Sequence, residues 1–260
     1  MTNLDVCVWG RCKKKLIRTG NSCQCENRHC FDLAKEGYLN LNLHNSQNTG
    51  DNQDMIKARR NFLNRGYYSF LRDEIDGLLD ENDSLIDLAC GEGYYTSFFR
   101  CKDKIGIDLS KTGLKYASKH DKSTLYLLNS IFHNPLEEEC ADKVLTIFAP
   151  VAKEEIVRLL KKNGVFILAR PDKDHLIELK QLIYEHPYLN ETEEIPIDGL
   201  QLINEIPIKR KEKVAGQDIT DLFMMTPYYN TTSQKDKDKL QTVDELEISF
   251  SFLIDVYRKY

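Results

Sequence analysis

A chain of 260 residues with 41% hydrophobic and 30% charged residues has the composition of an ordinary globular protein, large enough for one ample core with a small appendage. No uncharged apolar run approaches the roughly 18 residues a membrane span requires, and the N-terminus lacks the apolar segment of a secretion signal, so a cytoplasmic protein with no membrane partner is expected. The net charge of −5 excludes a uniformly basic surface, yet residues 1–65 carry +5 and the remainder −10; a basic head on an acidic body suits polyanion binding through the head.

The head is also where cysteine gathers. Cys7, Cys12, Cys23, Cys25 and Cys30 all fall in the first thirty residues, and in a reducing compartment such a cluster indicates a metal site rather than a disulfide framework. Cys7 and Cys12 form a C-x4-C pair, Cys25 and His29 a C-x3-H pair, and the four can close a tetrahedron; Cys23 and Cys30 compete for the third and fourth places. A thiolate-rich set selects zinc, here structural, which would supply folding free energy that the few large apolar residues of segment 7–30 cannot. Cys90, Cys101 and Cys140 stand apart and are expected as reduced, mostly buried thiols.

After "FDLAKEGYLNL" (31–41) comes a polar stretch, 42–54, that reads as a linker or loop. Segments 55–66 and 67–80 have helical apolar spacing. From residue 84 short apolar runs alternate with helical stretches: strands are predicted at 84–89, 104–108, 124–128, 143–148 and 164–169, helices at 94–101, 110–119, 152–162 (with Gly164 as its C-terminal cap) and 173–186. That alternation means a parallel sheet with helices on both faces. The tail breaks the rhythm: Leu200 to Ile208 and the strict alternation of Ile248, Phe250, Phe252, Ile254 and Val256 predict an antiparallel hairpin on the sheet edge.

"DLACGEG" (87–93) ends the first of these strands, where ligands bind in an open parallel sheet. Gly91 and Gly93 let a ligand approach the backbone. Asp108 closes the next strand, 17 residues after Gly91, and a carboxylate there can accept the hydroxyls of a ribose. The third glycine of a dinucleotide fingerprint is absent, Thr96 standing in its place. Asp87 would repel a pyrophosphate but suits a cationic amino-acid moiety. Asp87, Gly91, Gly93 and Asp108 together favour S-adenosylmethionine over NAD.

With head and cradle placed, the chain resembles the bacterial 23S rRNA (guanine-N1) methyltransferases called RlmA. The matching stretches are "CENRHCFDLAKEGYLNL" (25–41), "MIKARRNFLNRGYY" (55–68), "IDLACGEGYYT" (86–96), "GIDLSK" (106–111), "FAPVAKEEIVRLLKKNG" (148–164), "HLIELKQLIY" (175–184) and "MTP" (225–227), in the family's order and almost end to end. The resemblance implies a class I S-adenosylmethionine-dependent methyltransferase, an α/β protein with a Rossmann-like, mainly parallel sheet and an antiparallel C-terminal edge, plus a small zinc-binding domain. It implies zinc on Cys7, Cys12, Cys25 and His29, and S-adenosylmethionine contacts at Tyr68, Gly91, Glu92 and His175, beside the Gly93 and Asp108 already singled out. The chain departs from the family at Ala89, at Val151 and at Tyr228-Tyr229-Asn230. The expected organisation is a zinc-binding RNA-recognition head (1–41), a linker with helices (42–83) and a catalytic domain (84–260). The expected function is methylation of N1 of a guanosine in a 23S rRNA hairpin of domain II, near the peptide exit tunnel, by a homodimer. The competing readings are a small-molecule methyltransferase with a zinc lid and a non-catalytic RNA-binding protein on a methyltransferase scaffold.

Guanine N1 lies on the Watson–Crick edge, so the base must be unpaired or turned outward before transfer. Tyr94, Tyr95, Tyr228 and Tyr229 are candidates to stack on it. Lys13, Lys14, Lys15, Arg18 and Arg28 in the head, with Lys57, Arg59, Arg60 and Arg65 as a second patch, are the expected phosphate contacts. No residue stands out in the sequence as the general base.

Overall fold

The structure, a computed structural model, describes residue 12, residues 14–42 and residues 53–260. Most of the polar stretch 42–54 lies outside the described residues, as do Cys7 and Lys13.

Three short strands, β1 (Ile17–Thr19), β2 (Ser22–Gln24) and β3 (Cys30–Asp32), form a small antiparallel sheet in the head. β4 (Leu39–Asn40) and two helices, α1 (Gln53–Asn64) and α2 (Ser69–Asp76), lead into the body. The alternating region follows as β5 (Ser84–Leu88), β6 (Asp103–Asp108), α3 (Lys111–His120), β7 (Thr124–Leu128), β8 (Ala141–Ile147), α4 (Lys153–Leu159), β9 (Leu160–Pro171) and α5 (Ile177–Ile183). β10 (Leu200–Ala215), α6 (Gln217–Met224), α7 (Gln234–Asp238) and β11 (Glu245–Lys259) complete the chain.

The large sheet runs β10-β11-β9-β8-β5-β6-β7-β4. Every pairing from β9 to β4 is parallel, while β11 lies antiparallel between β9 and β10. This is the mainly parallel sheet with an antiparallel C-terminal hairpin that the sequence predicts. Chain order reverses between β5 and β8, which puts a topological switch point at their carboxyl ends, where an open α/β sheet binds ligands.

Side-chain alternation assigns the faces. Ile86, Leu88, Ile105, Ile107 and Val144 pack one face together with Ile156 of α4 and with Leu16, Cys23, Cys25 and Phe31 of the head. Leu85, Leu145, Phe250, Phe252 and Ile254 pack the other, against Phe62, Leu71, Leu179 and Leu222 of α1, α2, α5 and α6. The head therefore shares a core with the sheet, and β4, inside the expected head segment, is the parallel edge strand of the large sheet.

Three predicted helices differ. Residues 94–98 form turns and 99–101 are irregular, so no α-helix spans 94–101. The Lys104 ammonium, buried beneath, donates to the carbonyls of Thr96 (2.9 Å) and Phe99 (2.7 Å), and so takes acceptors a helix would use. α4 ends at Leu159, because Leu160 turns extended to begin pairing with Ala141; Asn163, not Gly164, takes the left-handed turn (φ 63°). α5 starts only at Ile177. The segment before it is stitched along β11 by Asp172 N–H to Ser251 O and Leu176 N–H to Ser249 O, both 2.9 Å, which holds His175 out of any helix.

Candidate active site

The loop after β5 coils through three left-handed residues, Ala89 (φ 68°), Gly91 (φ 57°) and Gly93 (φ 74°). Ala89 and Cys90 both donate N–H to Ile107 O, at 2.8 and 3.1 Å, which sews the loop to β6. The two glycines serve different ends. A Cβ on Gly91 would meet nothing within 4 Å, since it faces open space, whereas one on Gly93 would meet Tyr126 Oη at 2.6 Å and Ala117 Cβ at 3.1 Å. Gly93 thus allows close packing of the loop on β7 and α3 and is not on the crevice wall. Gly113 likewise lets α3 approach the loop, since a Cβ there would lie 2.8 Å from Gly91 O, and it is itself on the crevice wall. Asp108 fixes the bend: Oδ2 accepts from Gly91 N–H at 2.7 Å and Oδ1 from Ser110 N–H at 2.6 Å.

A crevice of about 710 Å³ opens above this loop, within the range of small-molecule sites. Asp87, Gly91, Glu92 and Asp108 line one half; Phe148, Pro150, His175, Lys180, Tyr188 and Tyr228 line the other, with Tyr68, Tyr94 and Tyr95 also on its wall. Tyr229 is not on the wall; its ring packs on Phe223. Asp87 is buried and accepts a hydrogen bond from the Thr96 hydroxyl. Burial pushes its carboxyl up to about 7, with the Asp108 charge adding to the rise and Thr96 opposing it.

Glu92 is bound by the Arg60 guanidinium, which also lies 3.8 Å above the Tyr116 ring. Arg60 is therefore committed to the cradle, which removes it from the phosphate patch expected of α1. Tyr68 and His175 meet in the floor. His175 Nδ1 accepts the Ser251 N–H at 3.2 Å, so its proton sits on Nε2, 3.4 Å from Tyr68 Oη. Burial lowers His175 to about 3, so it stays neutral.

Sequence reasoning passed over two residues here. Phe148, at the end of β8, has φ 54° and is 39% exposed, an aromatic ring held at the crevice in a left-handed conformation. Its signal was the apolar side chain in "FAP", directly after a buried strand. Lys180 is 2% exposed; a lysine inside the apolar spacing of 175–184 was the available sign.

In the head, Cys12 Sγ lies 3.8 Å from Cys25 Sγ, and Cys25 Sγ 3.4 Å from His29 Nδ1; one atom from each of the three falls within 4.8 Å of the others. Zinc–sulfur and zinc–nitrogen bonds of about 2.3 and 2.0 Å at tetrahedral angles require separations of roughly 3.5–3.8 Å, so the donor set fits zinc. Arg28 at φ 64° turns the chain so that Cys25 N–H reaches His29 O at 3.1 Å. Burial pushes the Cys12 thiol up, but hydrogen bonds from the Lys14 backbone, Asn27, His29 and Cys25 overcome it and bring it to about 6, favouring thiolate. Cys7, proposed as the fourth ligand, lies outside the described residues. The rivals are placed elsewhere: Cys23 is buried in the shared core, and exposed Cys30 is 4.0 Å from Asp32 Oδ1.

The donor half also fits S-adenosylmethionine. The buried hydroxyls of Tyr94 and Tyr95 have no hydrogen-bond partner, Gly91 leaves backbone open to a ligand, and Asp87 is a buried acid suited to a cation. The group would supply an electrophilic methyl on a sulfonium.

A switch-point crevice over a glycine turn, closed by acidic residues on the first two strands, defines a class I S-adenosylmethionine-dependent methyltransferase. The family description "Methyltransferase domain" matches residues 79–241, and that for the "RlmA, N-terminal" zinc ribbon matches residues 11–43. The chain belongs to the methyltransferase family and carries the RlmA zinc ribbon at its head. It is 33% identical over 181 residues to the "Putative 23S rRNA (guanine-N(1)-)-methyltransferase YxjB" of Bacillus subtilis (strain 168); the match covers 64% of each chain. It is 28% identical over 179 residues to the 23S rRNA (guanine(748)-N(1))-methyltransferase of Streptomyces fradiae, covering 65% of this chain and 64% of that one. The chain thus spans just under two thirds of each relative's length. Among solved structures, the YcgJ protein of Bacillus subtilis superposes with a TM-score of 0.48 at 14% identity, over 72% of this chain and 97% of that one; a likeness this low adds nothing to the assignment. Among the described residues no helix is long and apolar enough to cross a membrane.

Proposed function

We propose that this protein methylates N1 of a guanosine in a 23S rRNA hairpin of domain II, near the peptide exit tunnel, with S-adenosylmethionine as methyl donor and zinc as a structural ion. The observation that carries the reading is the union of two parts in one core: a ribbon with the Cys12, Cys25 and His29 cluster packs on the same sheet face as Ile86 and Leu88, the strand that ends in the donor cradle. An RNA held by the basic head is thereby brought to the crevice mouth, where an outturned base can enter. The names of the relatives point the same way.

In this reading residues 1–41 recognise RNA, 42–83 connect, and 84–260 catalyse, in a cytoplasmic homodimer. The candidate cofactor contacts are Tyr68, Gly91, Glu92, Asp108 and His175, with Gly93 shaping the loop beneath them; Cys7, Cys12, Cys25 and His29 are the zinc ligands. Asp108 holds the loop through two backbone N–H groups and presents its carboxylate edge to the crevice. Phe148 and Tyr228 flank the acceptor half and offer faces for a base. Alignment of N1 with the methyl group supplies much of the rate.

The test is to incubate purified protein with S-adenosylmethionine and unmodified 23S rRNA and map the product by primer extension, since methylation at N1 blocks base pairing. A single donor-dependent stop at a guanosine is expected. Transfer of label to small metabolites with no stop in the rRNA would overturn the reading. Sedimentation of the purified protein tests the homodimer.

A further inference from the structure

The crevice that Asp87, Glu92 and Asp108 line also holds a buried cation. Lys180 of α5 is 2% exposed, and its Nζ donates to Asn190 Oδ1 at 2.7 Å and to the Tyr188 carbonyl at 3.2 Å. Both acceptors are neutral. An ammonium has three N–H groups, and the third has no acceptor among the described residues. Nζ lies 4.4 Å from the Tyr188 ring centroid and 6.0 Å from that of Tyr228, both tyrosines being on the crevice wall. A buried ammonium without a carboxylate is unfavourable, an arrangement that fits a site where an anion arrives with the substrate.

We propose that Lys180 is a catalytic residue that donates a hydrogen bond to O6 of the incoming guanine and stabilises the N1-deprotonated base. The proposal rests on the guanine-N1 reading above. Neutral guanine has a hydrogen on N1 and no free electron pair there, so it is a poor nucleophile. Loss of that proton to water leaves a charge shared between N1 and O6. The N1 pair then forms the bond to the methyl carbon as the carbon–sulfur bond breaks, its electrons staying on sulfur. A cation at O6 makes the first step easier, because the charge it meets forms only as the base is deprotonated. Burial lowers the pKa of Lys180, which makes its ammonium the more acidic donor. The titratable groups facing Lys180 are His175 before α5, Tyr188 after it and Tyr228 beyond α6. His175 stays neutral and burial raises both phenols, so none of them competes for the titration.

The test compares wild type with Lys180→Gln and Lys180→Arg in the full chain, loaded with S-adenosylmethionine, on unmodified 23S rRNA. Single-turnover rates are measured against pH, alongside donor affinity and melting temperature. Lys180→Gln is expected to lose about 100-fold at pH 7 and to recover as pH rises, its profile displaced at least one unit to alkaline pH, with donor Kd within twofold of wild type. Lys180→Arg should keep the wild-type profile with a smaller loss. Lys180→Met gives the same comparison if the glutamine variant does not fold. A neutral variant with the wild-type rate, or with a lower rate on an undisplaced profile, overturns the role of Lys180 alone. A wild-type protein that leaves no N1 mark overturns the guanine-N1 reading, and this proposal with it.

Discussion

Tyr68 and His175, 107 residues apart in the chain, meet in the floor of the crevice with Tyr68 Oη 3.4 Å from His175 Nε2. Because Nδ1 accepts from Ser251, Nε2 carries the proton and donates to the phenol oxygen, so the Tyr68 O–H is directed elsewhere. That phenol is 2% exposed and on the crevice wall, and in the proposed reading it donates to the cofactor.

Tyr68→Phe should therefore leave the fold intact and weaken S-adenosylmethionine binding by roughly 5-fold, as loss of one hydrogen bond of about 1 kcal/mol implies; calorimetric titration reads it. His175→Gln should cost stability as well, because Ser251 N–H loses its acceptor. The pH sense is fixed by His175: its folded pKa, about 3, lies below the unfolded value near 6.5. Its contribution is fully present above 6.5 and is lost as pH falls toward 3. Acid melts of wild type and His175→Gln should converge in that window.

Asp87 has the opposite sign. Its folded pKa of about 7 exceeds the ordinary carboxyl value of 3.8, so the stability it contributes is present below 3.8 and declines as pH rises through 7. A bound cation reverses the cause by favouring carboxylate. Donor binding near pH 7 should release up to about half a proton, visible as a buffer-dependent binding enthalpy, and donor affinity should rise with pH up to about 7. Asp87→Asn should abolish the proton release; unchanged release would assign it to another group.

Lys104→Met should destabilise by about 2–4 kcal/mol, because the carbonyls of Thr96 and Phe99 lose a buried donor and Asp121, 4.0 Å away, its cation. Denaturant melts measure it. A neutral result would mean that the turns at 94–98 hold without the ammonium.

Gly113→Ala should damage donor binding by displacing the loop. The new methyl would lie 2.8 Å from Gly91 O, a backbone atom that cannot swing aside, so the cradle must shift at a cost of about 1–3 kcal/mol. Donor affinity should fall more than for Gly20→Ala, whose added Cβ meets nothing within 4 Å.

Zinc removal by a chelator should release the Cys12, Cys25 and His29 turn and abolish rRNA binding, while donor binding persists, because the cradle stands on β5 and β6. Filter binding and calorimetry on the same apo sample separate the two. Equal loss of both would show that the shared core at Leu16 and Phe31 transmits the damage.

The strands were legible because burial writes directly on them: five apolar runs from residue 84 became β5 to β9, and the alternation of Ile248 to Val256 became the buried face of β11. The helices were less so. Residues 94–101 have a helical pattern, but a lysine from the next strand captures their carbonyls, and no local pattern reports a partner on another element. The same limit hid the site's second half. "DLACGEG" announces a ligand because glycine and acid spacing are local features. Lys180 and Phe148 carry no such signature, since an interior lysine and a strand-end phenylalanine look like ordinary helix and core positions.

By itself, the sequence determined the strands of the large sheet from residue 84 onward, the parallel sheet with its reversed edge, the thiolate-rich head and the glycine turn suited to a cationic donor, because periodicity, glycine spacing and cysteine clustering are properties of neighbours along the chain. Only the tertiary structure decided which glycine faces the crevice and which supports it, that Arg60 serves Glu92, that Cys23 and Cys30 stand apart from the metal cluster, and that a lysine shares a wall with His175. Those outcomes depend on which elements meet at the switch point, and contacts between elements distant in sequence are settled by packing.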